Sequence, residues 1–225
     1  MPLDLQILGS GVYTPREAGR LTGVKQHDVL RWTRGSGASK PLWNSYYRPL
    51  DNSTEISFLD MLEIRVVAAL RGAGVSLQAI RFAIDFAQHK YNIERPLTSK
   101  RFRTDGKEIL IEALEEDGEL TSLSRKRAGQ KAFKIIVKQS LLDLDYDDDR
   151  PIRWRPRKSR FVVIDPARSF GDPILDEFGI STHVIREEFN AFGDIRYLSR
   201  IYEIPDAQIK SAINFEQALD GQGTV

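Results

Sequence analysis

The 225-residue sequence contains no cysteine. That removes disulfides, thiol nucleophiles and thiolate metal ligands, and it accords with a reducing, cytoplasmic setting. Histidine is nearly as scarce. His27, His89 and His183 lie far apart, so no metal-ligating spacing exists and neither a metal nor another cofactor is expected. No apolar run approaches the roughly 18 residues that a membrane span needs. The opening Met1-Pro2-Leu3-Asp4 lacks the basic region and apolar core of a secretory signal. Neither a glycine-rich phosphate loop nor a local Ser/His/Asp set can be read, so enzymatic activity is not expected.

What is present is the composition of a soluble globular protein, 41% hydrophobic and 29% charged, with length for two domains and a small module between them. The net charge of +1 is unevenly spread: +3 over residues 1–95, +1 over 96–145, +3 over 146–160 and −6 over 161–225. An acidic C-terminal segment is a poor partner for phosphates and a suitable one for protein.

The N-terminal punctuation is clear. Thr14 can cap a helix, with Pro15 in its first position and Glu17 at capping-box spacing. Gly23 ends that helix, and a second runs from about Gln26 to Arg34, with Val29, Leu30 and Trp32 available for packing and Trp32 assigned to the core. Residues 36–50, rich in Gly, Ser, Pro and then Trp43, Tyr46 and Tyr47, read as a loop with a short hairpin in the position of a wing. Ser57 and Ser76 cap two further helices, separated by Gly72-Ala-Gly74.

Beyond Pro96, the Asp105-Gly106 pair predicts a β-hairpin and residues 116–130 read as loop. Residues 132–144 fit a strand followed by a turn, or a short helix. Residues 143–160 read as a charged linker that switches from acidic to basic. Asp143-Leu-Asp-Tyr-Asp147 begins like a calcium loop but has Asp148 where glycine is wanted and Trp154 where glutamate is wanted. Arg160 to Ile164 reads as a strand, Asp165-Pro166 and Gly171-Asp-Pro173 as turns. Helices are expected from Thr182 to Ala191, from Asp194 and from Asp206 onward.

Thr14-Pro-Arg-Glu-Ala-Gly-Arg-Leu-Thr-Gly-Val24, Val29-Leu-Arg-Trp32 and Gly74-Val-Ser-Leu77 with Ile80-Arg81 resemble the MerR family of regulators over about 80 residues. That resemblance implies a winged helix-turn-helix that binds operator DNA. Chemistry agrees, because Lys25, Gln26, His27, Arg31 and Arg34 can face a groove, Gln suiting adenine edges and Arg guanine edges or phosphate. Lys40, Tyr46, Tyr47 and Arg48 can reach the backbone from the wing, and Thr14 and Arg16 join them at the opening of the first helix. Pro96 and Asp105-Gly106 interrupt the long dimerising helix usual in that family, and its metal sensors use cysteines that are lacking here.

A second resemblance lies in Ile164-Asp-Pro166, Gly171-Asp-Pro-Ile174, Gly179-Ile-Ser-Thr182, Gly193-Asp-Ile195, Tyr202-Glu-Ile-Pro205 and Ala212-Ile213-Asn-Phe215-Glu216. This pattern is similar to a small domain of unknown function associated with VapB-type antitoxins, whose members sit beside toxins with a PIN-like nuclease domain. It implies a protein that binds and silences a nuclease toxin and represses their shared operon. Asp176, Glu177, Glu187 and Glu188 are the candidate partner contacts, the alternative being a domain used only for dimerisation.

The reading is therefore an α+β, mainly helical chain: a winged helix-turn-helix (1–95), a β-hairpin-containing middle module with a charged linker (96–159) and a small, helix-turn-helix-like helical domain (160–225). A homodimer is expected, because such repressors read two half-sites. Two rivals are a MerR-like regulator with a small-molecule effector held near Phe102, Phe133 and Tyr146, and a nuclease using Asp147 and Asp149.

Overall fold

The computed structural model describes residues 8–37, 39–102, 139–156 and 159–222. It is an α+β chain. Helices α1 (Pro15–Thr22), α2 (Gln26–Arg34), α3 (Phe58–Gly72) and α4 (Leu77–Tyr91) come first, followed by a 3-10 turn at Pro96–Thr98. Strands β1 (Leu144–Asp147), β2 (Arg150–Trp154), β3 (Val162–Ile164) and β4 (Pro173–Leu175) follow, and α5 (Thr182–Phe192), α6 (Ile195–Tyr202) and α7 (Asp206–Gln222) complete the described elements. None of the helices among the described residues is long and apolar enough to cross a membrane.

The N-terminal boundaries follow from the capping chemistry. Thr14 Oγ1 accepts from Glu17 N while Glu17 takes the Thr14 amide, and Ser57 with Asp60 does the same for α3. Gly23 closes α1 in the left-handed conformation at φ 72°. Gly19 has a different reason to be glycine. A Cβ there would lie 2.5 Å from the Val24 carbonyl oxygen, so the turn between α1 and α2 can tighten only over a bare backbone. Ala18, Leu21, Val29 and Trp32 from these two helices merge with Met61, Leu62, Val66 and Leu70 of α3 and Ile80 and Ile84 of α4 in one core.

The sheet corrects the sequence reading at two points. Residues 143–160, expected as a linker, contain an antiparallel hairpin: Asp145 lies opposite Arg153 and Asp147 opposite Arg150, with Asp148 in the left-handed region (φ 49°) at the turn. Across the hairpin Arg155 pairs with Asp145 at 2.8 Å, while Arg153 reaches Asp165 at 3.0 Å, so the alternation of acidic and basic residues ties β2 both to β1 and to the end of β3. Leu144 and Trp154 supply its buried face. The segment around Pro173, read only as turn-rich, forms β4, which pairs with β3 to complete the antiparallel order β1-β2-β3-β4. The sheet therefore joins residues from both sides of position 159. Residues 139–141 are helical, followed by a turn into β1. The Asp105-Gly106 hairpin, the 116–130 loop, most of the ambiguous 132–144 stretch, Arg157 and Lys158 lie outside the described residues.

Three long-range ties fix the N-terminal helices against the remainder. Tyr13 donates its hydroxyl to the Gly171 carbonyl at 2.8 Å and Val12 N donates to Phe170 O at 2.9 Å. Arg20 on α1 pairs with Glu216 and Asp220 on α7 at 2.8 and 2.7 Å. Arg65 on α3 donates to both oxygens of Asp143 at 2.6 and 2.8 Å, and its guanidinium lies 4.6 Å from the Trp154 ring centroid. Asp143, a position of the calcium-loop pattern, is occupied by this pair and by the Trp154 indole N–H at 3.1 Å.

Candidate nucleic-acid interface and partner surface

Helix α2 buries Val29, Trp32 and Thr33, which turns Lys25, Gln26, His27 and Arg31 to solvent. Lys25 precedes the helix, Gln26 and His27 lie in its first turn and Arg31 lies about one turn after His27. Arg31 is half-exposed and held by Asp28 at 2.7 Å, an i,i+3 pair that orients the guanidinium while leaving it reachable. Arg16 stands exposed on the first turn of α1. Thr14 is committed to the cap of α1 through both its hydroxyl and its amide.

Arg34 does something else. It donates to the carbonyl oxygens of Asn52 and Ser53 at 3.1 and 2.7 Å and to Asn52 Oδ1 at 2.8 Å. It pins the far end of the loop that follows α2, where Asp51 and Asn52 take left-handed backbone. The short hairpin of the loop is a single antiparallel bridge. Among its described residues, Ser36 and Ser39 exchange backbone hydrogen bonds at 3.0 and 2.9 Å, and consecutive turns follow. Its aromatics divide. Trp43 and Tyr47 belong to the interior, and Tyr47, a candidate backbone contact in the sequence, is 3% exposed with its hydroxyl on the Gly11 carbonyl at 2.6 Å. Burial pushes that phenol up to about 12. Tyr46 is exposed and stacks edge-on against Tyr47. Lys40 is exposed and Arg48 half-buried.

The loop is fixed by a buried carboxylate. Asp60, fully buried on α3, accepts from Trp43 Nε1 (2.8 Å), Ser45 Oγ (3.2 Å), Tyr46 N (2.9 Å), Ser57 Oγ (2.8 Å) and Arg95 Nη1 (2.7 Å). Arg95 also holds Glu63 at 2.7 Å. Burial raises the Glu63 carboxyl to about 7 against the opposing pull of Arg95, whose own guanidinium is held more firmly protonated by the two carboxylates. Sequence reasoning missed this cluster because Trp43 and Arg95 lie 17 and 35 positions from Asp60. The capping-box Ser57-x-x-Asp60 was its one visible trace.

The four candidate partner residues fall in two groups. Asp176 is committed internally to Arg155 and Arg168 at 2.7 and 2.8 Å, and Arg155 is the first cause that holds its carboxyl below the usual range. Glu177 accepts from Gln208 at 2.8 Å. Glu187 and Glu188 stand on α5, Glu187 exposed and accepting from Asn190 at 3.4 Å, with Glu188 near Tyr202. Phe192, Ile201 and Val184, which surround this second group, were not singled out from sequence.

A cleft of about 660 Å³ opens where α1, α3, β2 and α7 meet, between Leu21, Arg65, Asp143, Trp154, Phe215 and Leu219. Its walls combine apolar side chains with Thr22, Gln139, Ser140, Asn214 and the Arg65–Asp143 pair, and Arg65 Nη1 is buried there without a hydrogen-bond partner. Phe102 is buried, Tyr146 donates its hydroxyl to the Thr98 carbonyl at 3.1 Å, and Phe133 lies outside the described residues. Among the described residues, no group of three or more His, Asp or Glu side chains is placed to hold a metal ion.

No family model matches the sequence. Whole-chain comparison gives a clearer result. A Mycobacterium tuberculosis protein named "Putative antitoxin VapB45" is 26% identical to this chain over an alignment of 222 residues, covering 90% of this chain and 92% of the relative. The crystal structure of Rv2018 from Mycobacterium tuberculosis matches the fold with a TM-score of 0.73 at 25% identity, over 89% of this chain and 96% of that one. Both similarities run through the N-terminal helices, the sheet and the C-terminal helices together, so the arrangement of the three is shared with a solved protein.

Proposed function

We propose that this chain is the antitoxin of a type II toxin–antitoxin pair, a cytoplasmic, non-catalytic protein that binds a PIN-like nuclease toxin and represses their operon by binding operator DNA as a homodimer. The observation that carries this reading is the similarity to a protein named as an antitoxin, which spans nine-tenths of both chains. The N-terminal geometry supports the DNA half. Helix α2 packs one face on the core and leaves Lys25 and Gln26 at its N-terminal end, and His27 and Arg31 on its outer face, exposed to a groove, as a MerR-like recognition helix requires. Arg16, Tyr46, Lys40 and Arg48 serve phosphates beside it, while Arg34 and Tyr47 shape the wing from inside. On this reading residues 1–95 are the DNA-binding part, 96–159 the middle module and 160–225 the partner-binding part. The test is fluorescence anisotropy of the full chain against the DNA upstream of its own gene, with co-purification of the adjacent gene product. Tight, salt-sensitive binding with a Kd of roughly 10⁻⁸ M or below at physiological salt, plus capture of the nuclease, is the expected result. Binding no tighter than to random duplex removes the repressor half.

The second reading, a MerR-like regulator with a small-molecule effector and no toxin partner, is favoured by one observation. The cleft beneath α1 is of ligand size and joins the DNA-binding helices to the rest of the chain. Stabilisation by a metabolite, with no partner protein recovered, selects it.

A further inference from the structure

Helices α1, α2 and α3 each carry an acid at the third helical position, and two of them use it in the same way. Glu17 in α1 and Asp60 in α3 fold back onto the amide of the capping residue and close a capping box. Asp28 in α2 does not. Lys25 stands where the cap would be, no side chain bonds that end of the helix, and Asp28 turns along the helix towards Arg31. Its Oδ1 lies 2.7 Å from Arg31 Nη2 and its Oδ2 3.5 Å from His27 Nε2. The Asp28 side chain is 24% exposed and that of Arg31 45%, so the pair stands at the surface of the helix and not in the core.

Asp28 is the one acidic residue of α2, set among Lys25, His27, Arg31 and Arg34. A helix that had only to attract phosphates would gain nothing from a carboxylate in its first turn, the part that enters the groove. Paired with Asp28, Arg31 presents little net charge, and the carboxylate itself repels phosphate. The phosphate candidates Arg16, Lys40 and Arg48 have no acidic partner among the described residues. A base edge makes a different demand. The O6 and N7 acceptors of guanine take two donors from one guanidinium, which must be aimed, while its net charge counts for little. An ion pair through Nη2 restrains the guanidinium and leaves most of its five N–H groups for such an edge. An acid at this position also suits the positive end of the helix, but that role asks nothing of Arg31.

We propose that Asp28 is a positioning residue: its pair with Arg31 withdraws that guanidinium from phosphate and sets it for the O6 and N7 edge of a guanine in the major groove. The proposal rests on the operator-binding half of the reading above and names the base that Arg31 meets.

The experiment titrates the full chain by fluorescence anisotropy with three kinds of DNA. These are the duplex upstream of its own gene, the same duplex with 7-deazaguanine replacing each guanine in turn, and a random duplex of equal length. The 7-deaza base pairs normally but lacks the N7 acceptor. Wild type, Asp28→Ala, Arg31→Ala and the double variant are compared, each with a thermal melt. Wild type is expected to lose roughly 5-fold or more in affinity at one guanine of the site, a sensitivity absent from both single variants. Asp28→Ala binds random duplex as well as wild type or better, because a negative charge has gone. The double variant binds operator no more weakly than Arg31→Ala alone. An equal loss by Asp28→Ala on operator and random duplex, with a lowered melting temperature, overturns the proposal in favour of a helix-terminal role. Single-variant effects that multiply in the double variant overturn it in favour of independent roles. Weakened binding by Arg31→Ala, with no guanine sensitivity in wild type, makes Arg31 a phosphate contact and overturns it as well. A wild type that binds operator no tighter than random duplex removes the DNA reading itself.

Discussion

Replacing Asp60 by Asn changes almost no volume but alters the polarity of a fully buried hub. One carboxylate oxygen takes Trp43 Nε1 and Arg95, the other Ser45 Oγ, Tyr46 N and Ser57 Oγ. All are donors as placed. An asparagine must aim its NH2 at one set or the other, so whichever way the amide turns, at least two donors lose their acceptor. Hydrogen bonds to a charged group are worth about 1.5–3 kcal/mol each, and breaking a buried ion pair from one side about 3–5 kcal/mol. Some of these overlap, since Arg95 keeps Glu63, so the expected loss is about 3–5 kcal/mol, a large part of the roughly 5–15 kcal/mol that holds a typical domain together. The measurement is urea denaturation followed by tryptophan fluorescence, with Trp43 as the local reporter. Because Trp43, Ser45 and Tyr46 lose their anchor together, the variant should also bind operator DNA more weakly under conditions where its circular dichroism is still native. A midpoint shift corresponding to less than about 1 kcal/mol would refute the reasoning, since it would mean that the hub is not what holds the wing.

Three further outcomes follow from the same geometry. Arg31→Ala is expected to weaken operator binding by roughly 1–3 kcal/mol and relax specificity at one base position, whereas Arg48→Ala should weaken all duplexes alike and flatten the salt dependence; equilibrium anisotropy at several salt concentrations separates the two. Glu63 titrates at about 7 in the folded chain, above its ordinary value of 4.5, so the unfolded chain releases that proton first. Its contribution is most favourable below pH ~4.5 and is lost as pH rises to about 7. Denaturation of wild type and Glu63→Gln across that window should show the stability difference moving against wild type by up to roughly 3 kcal/mol, and a pH-independent difference would contradict it. Gly19→Ala, normally favourable in a helix, should here destabilise by about 1–3 kcal/mol in a thermal melt, because the added methyl meets the Val24 carbonyl.

Much of the N-terminal fold was legible because its signals are local. Caps act within three residues, so Thr14, Ser57 and Ser76 mark helix starts on the page as they do in space. Gly23 and Gly193 mark ends because left-handed backbone favours glycine. Helical spacing put Val29 and Trp32 on the core side of α2 and His27 and Arg31 on the other, with Lys25 and Gln26 exposed at its N-terminal end. In the C-terminal segment the boundaries of α5 and α6 were equally readable.

Tertiary structure alone decided the rest. Residues 143–160 look like a solvated linker when their charges are counted along the chain. They become a hairpin because the two strands pair in register, Arg155 reaches back to Asp145 and Trp154 is buried. Arg34 and Tyr47 look like groove and phosphate contacts by residue type, yet their partners, Ser53 and Gly11, lie 19 and 36 positions away and turn both inward. Asp176 offers a carboxylate to a partner until Arg155, 21 positions earlier, takes it. Local propensity and periodicity are set by neighbours within a helical turn or along a strand. Whether a charged or aromatic side chain is free to meet another molecule depends on which distant residue reaches it first.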